Sequence, residues 1–420
     1  MIAHPGLRFT DHTVTVPLDH ERPDEGTIEV FAREVVAADR DGDDLPWLLF
    51  LQGGPGGKSP RPVRAESWIA YAVRTHRVLL LDQRGTGRST PITARTAGDR
   101  SAGELAGYLR LFRADSIVAD AEILRERVAG GNKWDTLGQS YGGFVTMSYL
   151  STAPRGLRTC YITGGLPGLT ATADQVYART YPRVAAKNAE FYRWYPGAAA
   201  AVRRIADHLA AEDVRLPDGD RLTVERLRVL GNGFGMSYGY AHVRWLLDEA
   251  WHGEQLSDTF RYDVMAQTGF IDQPLFALQE YCYGRPGSGP TDWAASRALE
   301  NHPAFAADAD PLLFTGEMMY PWMFEQIAAL RPFAGAAEIL ASADDWPPLV
   351  DPARLAANEV PVVAAVYFDD MYVDAGLSLE TAAAVGNVRT WVTNEHQHDG
   401  LRTAGEAVLG HLMEMAAGLR

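Results

Sequence analysis

The sequence predicts an α/β protein, a mostly parallel, doubly wound sheet with a mainly helical insertion in its second half. Three observations carry this. The run Trp47-Leu48-Leu49-Phe50-Leu51 is continuously apolar, as a strand covered on both faces of a parallel sheet must be. Segments with apolar residues at helical spacing, such as Ile117, Ala121, Leu124 and Val128, alternate with strand-like runs through the first 165 residues. From Asp174 to about Pro348 strand-like runs become scarce and aromatic residues abundant, and the β pattern resumes only at Val360.

Taken in order, residues 13–16, 27–36, 47–51 and 77–81 read as strands. Residues 116–128 read as a helix stopped by Gly130-Gly131, followed by a strand over 133–137, a helix over 144–150 and a strand over 159–163 ending in Gly164-Gly165. After the insertion come strands over 360–368 and 388–393, then one amphipathic helix over 401–417. The expected division is a first part of the core over 1–168, a helical cap over 169–350 and a second part of the core over 351–420.

The chain has 420 residues, 46% hydrophobic and 22% charged, enough for a real core. Its 54 acidic and 39 basic residues leave a formal charge of −15, which repels nucleic acid and anionic membranes and favours neither as a partner. Two cysteines, Cys160 and Cys282, provide neither a disulfide framework nor a thiolate cluster for zinc. No basic start followed by an apolar stretch marks a secretory signal, and no window is apolar for long enough to span a bilayer; the expected location is the cytoplasm.

The chemistry concentrates at Gly138-Gln139-Ser140-Tyr141-Gly142-Gly143, a Gly-x-Ser-x-Gly between a strand and a helix. Such a turn lifts a serine hydroxyl above the sheet, with small neighbours so that strand and helix can approach. The hydroxyl needs a base, and in enzymes with this turn the acid and then the histidine follow in sequence, each after a late strand. The strand over 362–368 runs into Asp369-Asp370, and the one over 388–393 into Asn394-Glu395-His396-Gln397-His398. Spacing leaves His396 and His398 both open, with His398 nearer the Gly400 turn; His411 falls inside the last helix. The His-x-His pair lacks a third metal ligand nearby, so no metal is expected.

After the buried strand, Gln52-Gly53-Gly54-Pro55-Gly56-Gly57 can aim a backbone N–H at an oxyanion, beside that of Tyr141. Gly57-Lys58-Ser59 imitates the end of a phosphate-binding loop, but the glycine required five places before Gly57 is Gln52, and Pro55 removes an amide. No nucleotide or other cofactor is expected. Asp82 to Ser89 reads as a charged structural turn behind these loops.

Together these residues resemble the prolyl aminopeptidase (proline iminopeptidase) family of α/β-hydrolase serine peptidases. Gly53-Gly54-Pro55-Gly56, Asp82-Gln83-Arg84-Gly85-x-Gly87-x-Ser89 and the Ser140 turn carry the likeness. Val16-Pro17-Leu18-Asp19-His20, the Gly316 to Phe324 segment, Tyr367-x-Asp369-Asp370-Met371-Tyr372-Val373 and His398-Asp399-Gly400-Leu401-Arg402 point to its longer bacterial branch. The resemblance implies an α/β-hydrolase core with a helical cap, a triad of Ser140, Asp370 and His398, and release of N-terminal proline from peptides. It also implies acidic cap residues that hold the substrate's free amine, with Glu280 and Glu317 as candidates and Glu300 as a third. The family's oxyanion loop usually begins with histidine, where this chain has Gln52. Phe234, Tyr238 and Trp322 could line an apolar pocket for a pyrrolidine ring, with core packing the simpler reading of each.

Two other classes use the same parts. A carboxylesterase would pair the triad with a wider apolar pocket, and a ligand receptor on the same scaffold would have lost the base or the acid. The acidic cap residues argue against the first, and the presence of all three triad candidates against the second.

Overall fold

The computed structural model describes residues 2–420. Nine strands form one sheet: β1 (Ile2–His4), β2 (Leu7–Pro17), β3 (Thr27–Ala37), β4 (Trp47–Leu51), β5 (Arg77–Leu81), β6 (Trp134–Gln139), β7 (Leu157–Thr163), β10 (Val362–Tyr367) and β11 (Val388–Thr393). A separate hairpin in the insertion pairs β8 (Trp251–His252) with β9 (Gln255–Leu256). The spatial order of the large sheet is β1-β2-β3-β5-β4-β6-β7-β10-β11. Its first strands pair antiparallel, up to β3 with β5, and the remaining six run parallel.

The parallel strands are the apolar runs of the sequence. β10 is buried at every position, and β4 and β5 at all but their first. Helices Ala114–Val128 and Tyr141–Thr152 cover one face, and Ser67–Ala72 with Gly405–Ala416 cover the other, each closing its own apolar cluster. A third cluster fills the helical insertion between Thr163 and Val362 around Phe191, Phe234, Tyr240 and Phe314.

Two of the differences from the sequence reading have a direct physical cause. β2 begins at Leu7 instead of residue 13, because Asp11 on its open side pairs across the strands with Arg33 (2.7 Å) and with Arg88 (2.7 Å), which makes a true strand look like a polar loop. The last helix is two, Gly400–Thr403 and Gly405–Ala416. The Ser67 hydroxyl donates to the Leu401 and Arg402 carbonyls (3.2 and 3.0 Å), and a Cβ at Gly405 would sit 2.4 Å from Trp68 N, so helix Ser67–Ala72 presses into the break.

Strand order positions the site. Consecutive strands β4 and β5 lie to one side of the sheet's centre and β6, β7, β10 and β11 to the other, so the connections leave β4 and β6 in opposite directions at a switch point. β4 and β6 are direct neighbours, Leu51 beside Gly138, which brings the loops after them together. The turns after β10 and β11 open at the same carboxyl edge.

Candidate active site

Ser140 sits in the sharp turn between β6 and helix Tyr141–Thr152, with φ +55° and ψ −123°. A side chain there is strained by about 1–3 kcal/mol, and the surroundings hold it in place. Its N–H donates to Thr163 O (3.0 Å), and its carbonyl accepts from Gly143 N (2.7 Å). The glycines are required by contact: a Cβ at Gly142 would lie 1.9 Å from Leu51 O, and one at Gly138 would lie 2.5 Å from Gly142 O.

His398 is buried, and its Nδ1 lies 2.6 Å from Asp370 Oδ2. The other oxygen of Asp370 accepts from the N–H groups of Tyr372 (2.8 Å) and Val373 (3.1 Å), so the carboxylate is fixed on both sides. Burial by itself lowers the imidazole's proton affinity, but the charge and hydrogen bond of Asp370, with Glu317 and Asp399 behind them, raise it above the ordinary value. The neighbouring alternatives point elsewhere. Asp369 pairs with Arg183 (3.0 Å), and His396 packs its ring against Tyr367 and Trp391. Of the two histidines that spacing leaves open, His398 is the one that meets Asp370.

The loop after β4 lies beside Ser140. Gly54 has φ +132°, and its N–H and that of Tyr141 have no acceptor among the described residues. Gln52 places its backbone instead of a histidine ring: the Gln83 amide donates to Gln52 O (2.9 Å), and Asp82 accepts from Ser59 N (3.1 Å) further along the loop. The turn after β5 is therefore the scaffold of the loop, as its sequence predicts. Arg84 in the same turn is buried against Asp120, the Leu18 carbonyl and His20, which ties in the Val16 to His20 segment.

Ser140, Gly54, Glu317 and His398 open onto one cavity of about 440 Å³. Beyond Ser140 the space narrows to a recess of about 20 Å³ walled by Tyr141, Phe144, Gln279, Cys282, Tyr283 and Tyr372, with Glu317 on its surface. Phe234, Tyr238 and Trp322 do not line it: Phe234 is packed against Phe191 and Phe314, Tyr238 is exposed, and Trp322 stacks on Tyr320. The Cys282 thiol is pushed up to about 12, first by desolvation, and is a poor nucleophile at neutral pH.

The three glutamates separate cleanly. Glu317 makes no hydrogen bond or ion pair among the described residues, and burial raises its carboxyl to about 8, partly opposed by His398. Glu280 lies outside the cavity of Ser140. Its two oxygens accept the N–H groups of Ala294 (3.0 Å) and Ala295 (2.9 Å) at the start of helix Ala294–Leu299, and burial raises it to about 7. Glu300 is exposed at the end of the same helix. Of the candidates for holding an amine, the structure brings only Glu317 to the serine.

Comparisons with known proteins identify the fold and the family. Residues 46–192 match the family model described as the alpha/beta hydrolase fold. A proline iminopeptidase of Aeromonas sobria is 47% identical over 98% of this chain and 97% of its own. The proline iminopeptidase aneH of Aspergillus aculeatus is 34% identical over 97% of this chain and 93% of its own. That of Neisseria gonorrhoeae is 32% identical over only 33% of this chain and 40% of its own. Because the first two similarities run through the helical insertion as well as the sheet, the chain belongs to the proline iminopeptidase family and has the α/β-hydrolase fold.

Proposed function

We propose that this protein is a serine aminopeptidase that releases an N-terminal proline from peptides through an acyl-enzyme on Ser140. In this reading Ser140 Oγ attacks the carbonyl of the first residue while His398 Nε2 takes the hydroxyl proton. Asp370 fixes the imidazole with its Nδ1–H toward the carboxylate. The N–H groups of Gly54 and Tyr141 receive the oxyanion as the carbonyl carbon becomes tetrahedral. The C–N bond then breaks, His398 returns the proton to the departing amine, and water releases the acyl group by the same steps in reverse.

The observation that carries the substrate assignment is Glu317, a carboxyl without a partner in the wall of a narrow recess beside the nucleophile. A buried carboxylate is costly until a cation pairs with it, so a peptide's terminal ammonium is its natural complement and an acylated terminus is not. With Glu317 set in the wall of the recess next to Ser140, an ammonium paired with it leaves no path for chain preceding the first residue, which makes the enzyme an exopeptidase. Its aromatic walls suit a flat apolar ring.

The test is hydrolysis of proline 2-naphthylamide, N-acetyl-proline 2-naphthylamide and a short-chain p-nitrophenyl ester by the wild type and Ser140→Ala. Turnover of the free-amine proline substrate, absent for the acetylated one and lost in the variant, is expected. Ester turnover without turnover of the proline substrate would overturn the assignment.

A further inference from the structure

Glu317 accounts for one end of the substrate. The other end must leave through the wide part of the cavity, and the charges there follow a pattern that the acyl-transfer chemistry does not use. Besides Glu317 and His398, the charged groups on this cavity are Lys58, Arg402 and Asp272. Lys58 and Arg402 both come from the sheet side, from the loop after β4 and the turn after His398, whereas Asp272 comes from the cap. Neither cation makes a side-chain hydrogen bond or ion pair among the described residues, with Asp272 or with anything else.

Both are exposed side chains, unlike the buried Arg84 and Arg226, which pair with Asp120 and Asp220, so on this one cavity the molecule leaves two accessible cations without a carboxylate partner. It also carries a formal charge of −15, so acidic partners for stray cations are plentiful. The roots of the two side chains are nonetheless held firmly. Ser59 N beside Lys58 donates to Asp82 (3.1 Å), and Arg88 N donates to the same carboxylate (2.9 Å). Arg402 N donates to Asp399 O (2.8 Å), while Asp399 accepts from the hydroxyl and N–H of Ser237 (2.7 and 3.1 Å). Rigid roots with unpaired tips on one cavity are what an anion subsite requires.

We propose that Lys58 and Arg402 bind the free α-carboxylate of the departing peptide, so that di- and tripeptides with a free C-terminus are the preferred substrates. The inference rests on the aminopeptidase reading above. Tethering sets the length. Lys58 lies four residues after Gly54 and Arg402 four after His398, and four residues of extended chain reach at most ~14 Å. Both roots therefore lie within that span of the reacting centre, and a carboxylate carried well past it by a longer extended peptide misses them. The net negative charge repels peptide carboxylates in general, and this pair supplies the local attraction that brings the right end into place.

The experiment compares kcat/KM for Pro-Gly-Gly and for Pro-Gly-Gly amide, with proline 2-naphthylamide as the substrate that has no C-terminal group. Wild type is expected to favour the acid over the amide by about tenfold, through KM, and the preference shrinks as ionic strength rises. Lys58→Met and Arg402→Met each reduce the ratio by about threefold. The double variant brings it close to one, and Lys58→Arg restores it. Equal treatment of acid and amide by wild type, or a ratio that survives in the double variant, overturns the subsite. The wild-type ratio and its salt dependence decide the matter even if a variant fails to fold. Turnover of the naphthylamide without acid preference refutes this subsite alone, whereas failure on the naphthylamide and both peptides refutes the aminopeptidase reading itself.

Discussion

The sheet edge and the cap face each other across the cavity, and they encode their chemistry differently. On the sheet edge, each functional group follows its own strand, and the backbone fixes its place: Ser140 after β6, Asp370 after β10, His398 after β11. In the cap, Glu280 and Glu317 lie in similar aromatic-rich segments, yet one caps a helix and the other faces the nucleophile with no partner. A site on strand ends is specified locally. A site in a helical cap is specified by which helix packs against which.

The sharpest way to break this comparison is on the sheet edge, where the groups act as one unit. His398→Ala is expected to lower kcat by at least about 10⁴-fold on every substrate, amine or ester, with KM little changed. Asp370→Asn keeps the shape but presents an N–H to His398 Nδ1, which disfavours the needed tautomer, and should cost about 10⁴-fold. Both are read by steady-state kinetics on folded protein. Retention of a tenth of the activity by His398→Ala would mean that the imidazole is not the base, and by Asp370→Asn that Asp370 does not set its tautomer.

On the cap side, the expected effect is smaller and selective. Glu317→Gln removes the charge that meets the substrate's ammonium and should lower kcat/KM for proline 2-naphthylamide by about 10²-fold. An ester with no amine should lose much less. Equal losses on both would assign Glu317 to the triad's electrostatics instead of substrate recognition.

The same contrast governs what the sequence makes legible. The continuously buried strands β4, β5 and β10 read directly because a parallel strand covered on both faces has no polar positions to confuse it. β2 was shortened in the sequence reading because cross-strand ion pairs look like loop residues. The Ser140 turn is legible because it needs glycine at fixed offsets, a requirement set by backbone contact. The choice of His398 over His396 depends on a contact with Asp370 across 28 residues, and the placing of Glu280 on one with Ala294 and Ala295. Neither contact leaves a periodic trace. The turn that carries Gln83 reads as structural, but its bond to the Gln52 carbonyl leaves no such trace, because it joins loops 31 residues apart.

Glu280→Gln sharpens the comparison through stability. At pH 5 the protonated carboxyl still turns an oxygen toward each N–H group, whereas the amide turns an NH2 toward one of them, so the substitution should destabilise the fold by about 1–3 kcal/mol in denaturant titrations, with little change in kcat/KM. It should also change the dependence on pH. Glu280 is raised to about 7 from 4.5, so between those values the native state keeps a proton that the unfolded chain has lost, and stability falls as pH rises. The wild type therefore loses this contribution from about pH 4.5 to 7, and Glu280→Gln should flatten that slope. An unchanged slope would mean that the carboxyl is ionised throughout.

The smallest expected effect is in the shape of the pH–rate profile, and it tests both sides of the cavity at once. His398 must be neutral to act as a base, and its proton affinity is raised, so activity on any substrate falls as pH drops through neutrality. Glu317, at about 8 in the free enzyme, must also shed its proton to pair with an ammonium. The acid limb of kcat/KM for proline 2-naphthylamide should therefore be steeper than that for a neutral ester and displaced toward higher pH. The amine's own deprotonation near pH ~8 closes the alkaline side for that substrate only. In Glu317→Gln the residual amine profile should lose the steeper limb and follow the ester. Coincident profiles in the wild type would show that the amine is bound without Glu317 changing its protonation, and the carboxyl would then act on the substrate as a neutral hydrogen-bonding group.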